Sequence, residues 1–285
     1  MDWLLEPFTC GTCDFMVRGL LAGLLTVVTT SLIGTWVVLR GMAFMGDAMA
    51  HGVIPGITGA YLLGINLSLG AVVSAAAMVG GITLVSRRSR LSEDTSIGLL
   101  FVGMLALGVL LISARGAYAG DLTAILFGDA VGVTASDVTA TAAAAVVTLV
   151  VTYVLYRPFV ALSFSEDKAE ALGMRPRVAH LAMLALIGIA IVVSFQTVGT
   201  LLVFAFIIAP PAAASLVSRR VPVLMAVAVA LGSVAVVVGL LLSYHLAVAG
   251  SPAIAAVAVA EFFLVLIGVE VAAKLRRGGP VPVPA

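Results

Sequence analysis

Charge is scarce in this chain. Only 10% of its 285 residues are charged, where a soluble domain carries roughly 25%. Hydrophobic residues make up 62% and the mean hydropathy is +1.23, so there is too little polar surface to cover a water-soluble globule. A net charge of +1 gives no reason to expect a polyanionic partner. Cysteine is nearly absent: Cys10 and Cys13 are the only two, which excludes a disulfide framework. Their CxxC spacing is that of thiol redox and zinc sites, but a lone pair at a chain end does not carry such an assignment. The first fourteen residues contain Asp2, Glu6 and Asp14 and no basic residue, so they do not read as a cleavable signal peptide. There is no G-x-x-x-x-G-K-[ST] loop for ATP phosphates. HExxH and GxSxG are both missing, which argues against an intramembrane protease. The expectation is a protein that is not itself an enzyme and holds no permanent cofactor.

What the chain has instead is a series of continuous apolar runs. They are about 20 residues long, enough to cross ~30 Å of hydrocarbon as a helix. Only helices and closed barrels satisfy their backbone groups in lipid, and continuous runs exclude the alternating pattern of barrel strands. The expected fold is all-α, a polytopic transmembrane bundle of eight or nine spans in a single domain over 1–285. The spans read at about 15–39, 43–64, 67–86, 95–114, 137–156, 178–195, 197–217, 222–246 and 253–274. Of the fifteen Lys and Arg residues, only Arg18 and Arg115 fall on one side of this threading. By the positive-inside bias the N-terminus, 1–14, lies outside and the C-terminus in the cytoplasm of a bacterial cell membrane. The tail 278–285 (GGPVPVPA) reads as a flexible end. The outer segment 115–136 contains Leu122–Gly132, too short to span and too apolar for a plain loop, so a re-entrant or interfacial helix is expected there. The inner segment 157–177 reads as a short amphipathic helix closed by Gly173. SLIGTWVV (31–38) echoes QTVGTLLV (196–203), as a duplicated transporter core would.

Ionisable groups inside a span are costly and are functional candidates by default. Asp47 and His51 are spaced to share one helix face, and their oxygen and nitrogen donors suit Mn²⁺, Zn²⁺ or Fe²⁺. They also suit a simple bond to each other at a helix end, and two ligands do not close a metal site. Ala48, Gly52, Gly56 and Ala60 form a small-residue stripe that admits a close neighbour, and Pro55-Gly56 should kink the helix. Pro210-Pro211 calls either for a broken helix lining a pathway or for a span end. Glu261 is membrane-embedded and either lines the pathway or bonds a neighbouring helix. His180 and His245 fall at span ends. Asp121, Asp129 and Asp137 face outside.

Four blocks carry a family resemblance: GDAMAHGVIPG (46–56), LTAILFGD (122–129), FSEDKAEALGM (164–174) and VGTLLVFAFIIAPPAAA (198–214). With the hydrophobic pattern they make the chain resemble, from residue 15 onward, the permease subunit of the ABC importers for manganese, zinc and iron(II). The resemblance implies a homodimer docked on two cytoplasmic ATP-binding-cassette subunits and fed by an extracytoplasmic metal-binding protein. It maps the family's metal-binding pair onto Asp47 and His51, so that two copies would supply two carboxylates and two imidazoles. It maps the coupling helix onto Ser165–Gly173, with Glu166, Asp167, Lys168 and Glu170 between. Gly46 stands where the family often has serine, Pro210-Pro211 doubles a usually single proline, and 251–260 lacks a frequent Gly-Ala-Thr. These departures bear on the cargo, leaving a chelate or haem-like substrate as one alternative and an ion-coupled secondary carrier as another.

Overall fold

The computed structural model describes residues 14–88, 93–113 and 133–277. Cys10, Cys13, Asp121, Asp129, the 122–132 segment and the 278–285 tail therefore lie outside the described residues. Every regular element described is a helix. In chain order these are α1 (Asp14–Leu39), α2 (Ala43–Gly52), α3 (Ile54–Leu63), α4 (Leu67–Arg88), α5 (Glu93–Ser113) and α6 (Ala135–Val154). They continue with α7 (Tyr156–Phe164), α8 (Glu166–Ala171), α9 (Pro176–Val217), α10 (Val221–Leu246) and α11 (Gly250–Arg277).

Seven stretches are long and apolar enough to cross a membrane, in α1, α4, α5, α6, the first half of α9, α10 and α11. The two other expected spans exist in altered form. The 43–64 span is two ten-residue helices that meet at Val53. The 197–217 span is the second half of α9, whose apolar part runs Leu202–Val217. Sixteen helical residues extend about 24 Å, short of the hydrocarbon thickness. The inner segment holds two helices, α7 and α8, where one was expected.

α9 is the hub of the packing. It lies against α1, α2, α4, α6, α7, α10 and α11. Its axis breaks at Gly199, with φ 76° and ψ 161°, a conformation that L side chains rarely adopt. Pro210-Pro211 does not break it: the backbone stays helical to Val217. A proline's fixed φ is itself helical, and its penalty is the lost N–H and the crowded carbonyl one turn earlier. Here the carbonyl without its Pro211 donor is that of Ile207. It lies against Gly34 of α1, so closely that a Cβ on Gly34 would collide with its oxygen and come within 2.9 Å of Pro211 Cγ. Both prolines are buried, Pro210 beside Gly232 of α10. The two Gly-Thr echoes therefore differ in role, since Gly34 is helical and Gly199 is the break.

The small-residue stripe does what its spacing suggests. Gly56 of α3 and Gly70 of α4 face each other so closely that a Cβ on either would collide with the other's carbonyl oxygen. Around these contacts the largest buried side chains, among them Trp36, Phe159, Phe206, Met45 and Met49, fill the interior.

Gly34→Ala and Gly56→Ala should each destabilise the protein by about 1–3 kcal/mol, the cost of overpacking a filled contact. Gly59→Ala has open space around it and should leave stability unchanged or slightly raised, since alanine is the better helix former. Thermal unfolding in detergent reads all three, and equal melting temperatures for the Gly56 and Gly59 variants would contradict the packing described.

Candidate functional site

The only break in the apolar character of α2 is Asp47 and His51, and the helix brings them together. His51 Nδ1 lies 3.1 Å from Asp47 Oδ1 and 3.1 Å from the Asp47 backbone carbonyl oxygen. Both partners can only accept, so Nδ1 donates and the Nε2 lone pair of the neutral ring stays open. A histidine held this way by a carboxylate is oriented for metal ligation through its other nitrogen. The pair is neither sealed in the core nor out in solvent: the side chains are 28% and 25% exposed. The His51 and Phe101 rings meet in a T-shaped contact between α2 and α5, centroids 5.6 Å apart, and Phe101 in turn meets Phe44 at 5.5 Å.

α2 is gripped from several sides. Gly46 lies against Ile207 and Phe204 in the second half of α9, and Gly188 in the first half lies against Met49. Both halves of the broken helix therefore press on the helix that carries the pair. Gly52 packs on Met78 of α4. At the α2–α3 junction Pro55 has no N–H for the His51 carbonyl one turn earlier, and the Ser74 hydroxyl of α4 donates to the adjacent Gly52 carbonyl at 2.8 Å.

Among the described residues no three His, Cys, Asp or Glu side chains come together, so Asp47 and His51 stand without a third such ligand among them. Glu261 lies in α11, which packs on α9 and α10, and both its carboxylate oxygens are buried with no hydrogen-bond partner among the described residues. Pro211 packs against Gly34 of α1 and Pro210 against Gly232 of α10. Asp137 caps α6: it accepts from the Thr134 N–H at 3.0 Å and from its hydroxyl at 2.6 Å, a capping box.

The 165–173 segment forms the short helix α8. Ser165 is its N-cap and Ala169 its buried anchor, while Glu166, Lys168 and Glu170 are exposed. Gly173, at φ 72°, closes it: its N–H donates to Glu170 and that of Met174 to Ala169, the paired bonds of a Schellman end.

The pattern of the family described as ABC 3 transport matches residues 12–269. The chain belongs to that family. Its relatives in the ABC 3 transport family include the manganese transport system membrane protein MntC of Listeria innocua, 34% identical over 253 residues that cover 89% of this chain and 90% of that one. The chelated iron transport system membrane protein YfeD of Yersinia pestis is 35% identical over 262 residues, 92% of this chain and 87% of that one. Among solved structures, PsaBC from Streptococcus pneumoniae in complex with Fab superposes with a TM-score of 0.81 at 29% identity, over 92% of this chain and 94% of that one. The protein is thus a multi-pass membrane permease of an ABC transport family.

Two contributors were not visible as site residues in the sequence. Phe101 and Ser74 are ordinary residues within apolar spans, with nothing in their spacing to mark them.

Ser74→Ala should leave the Gly52 carbonyl without its donor and cost about 1 kcal/mol, the usual scale for a hydroxyl bond between membrane helices. Thr83→Ala, which removes only a bond back to its own helix at Val79, serves as the neutral comparison. Melting curves in detergent that place the two variants together would remove Ser74 from the support of α2.

Proposed function

We propose that this chain is the translocation subunit of an ABC importer that carries divalent transition-metal ions, Mn²⁺, Fe²⁺ or Zn²⁺, into the cytoplasm. The observation that carries the reading is the Asp47–His51 pair: one carboxylate and one oriented imidazole on an accessible face of α2, in a family whose relatives are named for manganese and iron transport. The described residues of one chain offer too few ligands. A second copy apposed at this face would bring two carboxylates and two imidazoles to one ion, which supports a homodimer. Hard carboxylate and borderline imidazole donors suit all three metals, and affinity order alone does not choose among them.

Energy then comes from outside the chain. Cytoplasmic ATP-binding-cassette subunits engage α8 over Ser165, Glu166, Asp167, Lys168, Glu170 and Gly173, and an extracytoplasmic binding protein delivers the ion. In this reading α2–α3 and the second half of α9 complete nine crossings, with the N-terminus outside. A cargo of chelated metal is the second reading, favoured by the relative named for chelated iron.

In cells that depend on this importer, Asp47→Ala and His51→Ala should each lower uptake of radiolabelled metal at least about tenfold, the scale of losing a metal-supporting group. Membrane insertion should be unchanged. Uptake equal to the parent's by inserted, folded variants would end the assignment of this pair as the metal site. Uptake of a chelate alone, with free ions failing to compete, would move the cargo to the second reading.

A further inference from the structure

One cationic side chain sits where the coupling segment meets the metal-ligand helix. Arg40 follows the last residue of α1, and Gly41 alone separates it from Met42, the N-cap of α2. The corner is stiff. Gly41, at φ 67°, donates to Val38 at 3.1 Å and Met42 donates to Val37 at 2.9 Å, a Schellman end that leads directly into α2.

The guanidinium reaches two other elements at once. Nη1 lies 2.8 Å from His180 Nδ1, near the start of α9. A guanidinium can only donate, so that ring nitrogen accepts. Nη2 lies 3.5 Å from Glu166 Oε1, on the first residue of α8. A basic residue that merely anchors a span end extends its head into water. Arg40 does not: its side chain is only 10% exposed, against 62% for Glu166. A buried guanidinium needs partners to offset its desolvation, and these come from α8 and α9. Below it, Trp36 of α1 stacks edge-on with Tyr156 and tilted with Phe159 of α7, centroids 5.8 and 5.4 Å apart. The α7–α8 unit is therefore held to the end of α1 by an aromatic cluster and by one charged bridge, and that bridge continues by a rigid corner into α2.

We infer that Arg40 is a positioning residue that joins the coupling helix to the metal-ligand helix, passing displacement of α8 through Glu166 to the α1–α2 corner and so to Asp47 and His51. The inference rests on the importer reading above. The Glu166 end of the pair is open to solvent, which screens the attraction, so the role of this contact lies in geometry.

The test uses the full complex, this chain with its ATP-binding-cassette and metal-binding partners, in proteoliposomes. Metal transported and ATP hydrolysed are measured together. Arg40→Gln and Glu166→Gln should each lower the transport-to-hydrolysis ratio by roughly 3- to 30-fold, the range by which residues along a coupling route alter it, and the double variant should be no worse than the poorer single one, because both remove the same contact. Basal ATP hydrolysis and equilibrium metal binding of Arg40→Gln should stay at parent values, which a merely unfolded protein would not show. A parent ratio in Arg40→Gln, or additive losses in the double variant, would overturn the inference. Should Arg40→Gln fail to assemble, Arg40→Lys, which keeps a cation but not the two-nitrogen reach, takes its place in the same measurement. A parent complex that hydrolyses ATP but moves no metal would instead overturn the importer reading itself.

Discussion

A helix in hydrocarbon must find a partner for every carbonyl it releases, because no water is present to take it. That requirement governs where this bundle interrupts its helices. At the α2–α3 junction the Gly52 carbonyl is met by the Ser74 hydroxyl. At Pro211 the Ile207 carbonyl loses its donor and is turned onto Gly34, where only a Cα–H can approach, a weak but recurrent contact between helices. In each case the interruption is tolerated because a small residue lets a neighbouring helix come close. The same contacts therefore fix α4 to α2 and α1 to α9.

The polar pair obeys the same rule with a different result. Asp47 and His51 satisfy part of each other's demand through Nδ1, which makes them tolerable near the bundle interior. Their remaining sites are Nε2 and the second carboxylate oxygen. A pair that bonded fully to its own chain would be structural, and a pair without internal bonding would be too costly to hold. Partly exposed and bonded through Nδ1, this pair keeps the chemistry by which a ligand from outside the chain could be held.

Much of this was legible in the sequence, for reasons that differ by element. The long spans were readable because hydrophobic length is a one-dimensional property that lipid enforces directly. The α2 pair was readable because its spacing is helical, and the Gly56 contact because small residues recur on one stripe. The α8 helix was readable from its charged residues Glu166, Asp167, Lys168 and Glu170 and its Gly173 stop, while its Ser165 start came from the family resemblance. The prolines misled. Pro210-Pro211 looks like a break in one dimension, yet it is accommodated by Gly34 and Gly232, which are remote in sequence. The actual break, Gly199, falls just beyond the 195–197 boundary expected between two spans. Asp137 looked like an outward charge, and its real partner, Thr134, makes it a cap. Phe101, Ser74 and the partners of Arg40 come from other helices, and no periodicity in one helix encodes what another will place against it.

The break at Gly199 and the grip on α2 belong together. α2 carries the pair but is too short to span, so its position is set by what touches it. The first half of α9 touches it through Gly188 and Met49, the second through Ile207 and Gly46. Were α9 continuous, these two contacts would belong to one rigid rod, and α2 could move only with the whole of it. Because the axis breaks between them, each half has its own neighbours: the second is keyed to α1 by Pro211 and Gly34, and the start of the first is bonded to Arg40 through His180. Closely packed elements with separate attachments rearrange between discrete packings and do not deform continuously. That gives α2 two independently mounted walls, and a polar pair between two such walls is one whose exposure can be changed without breaking the pair itself.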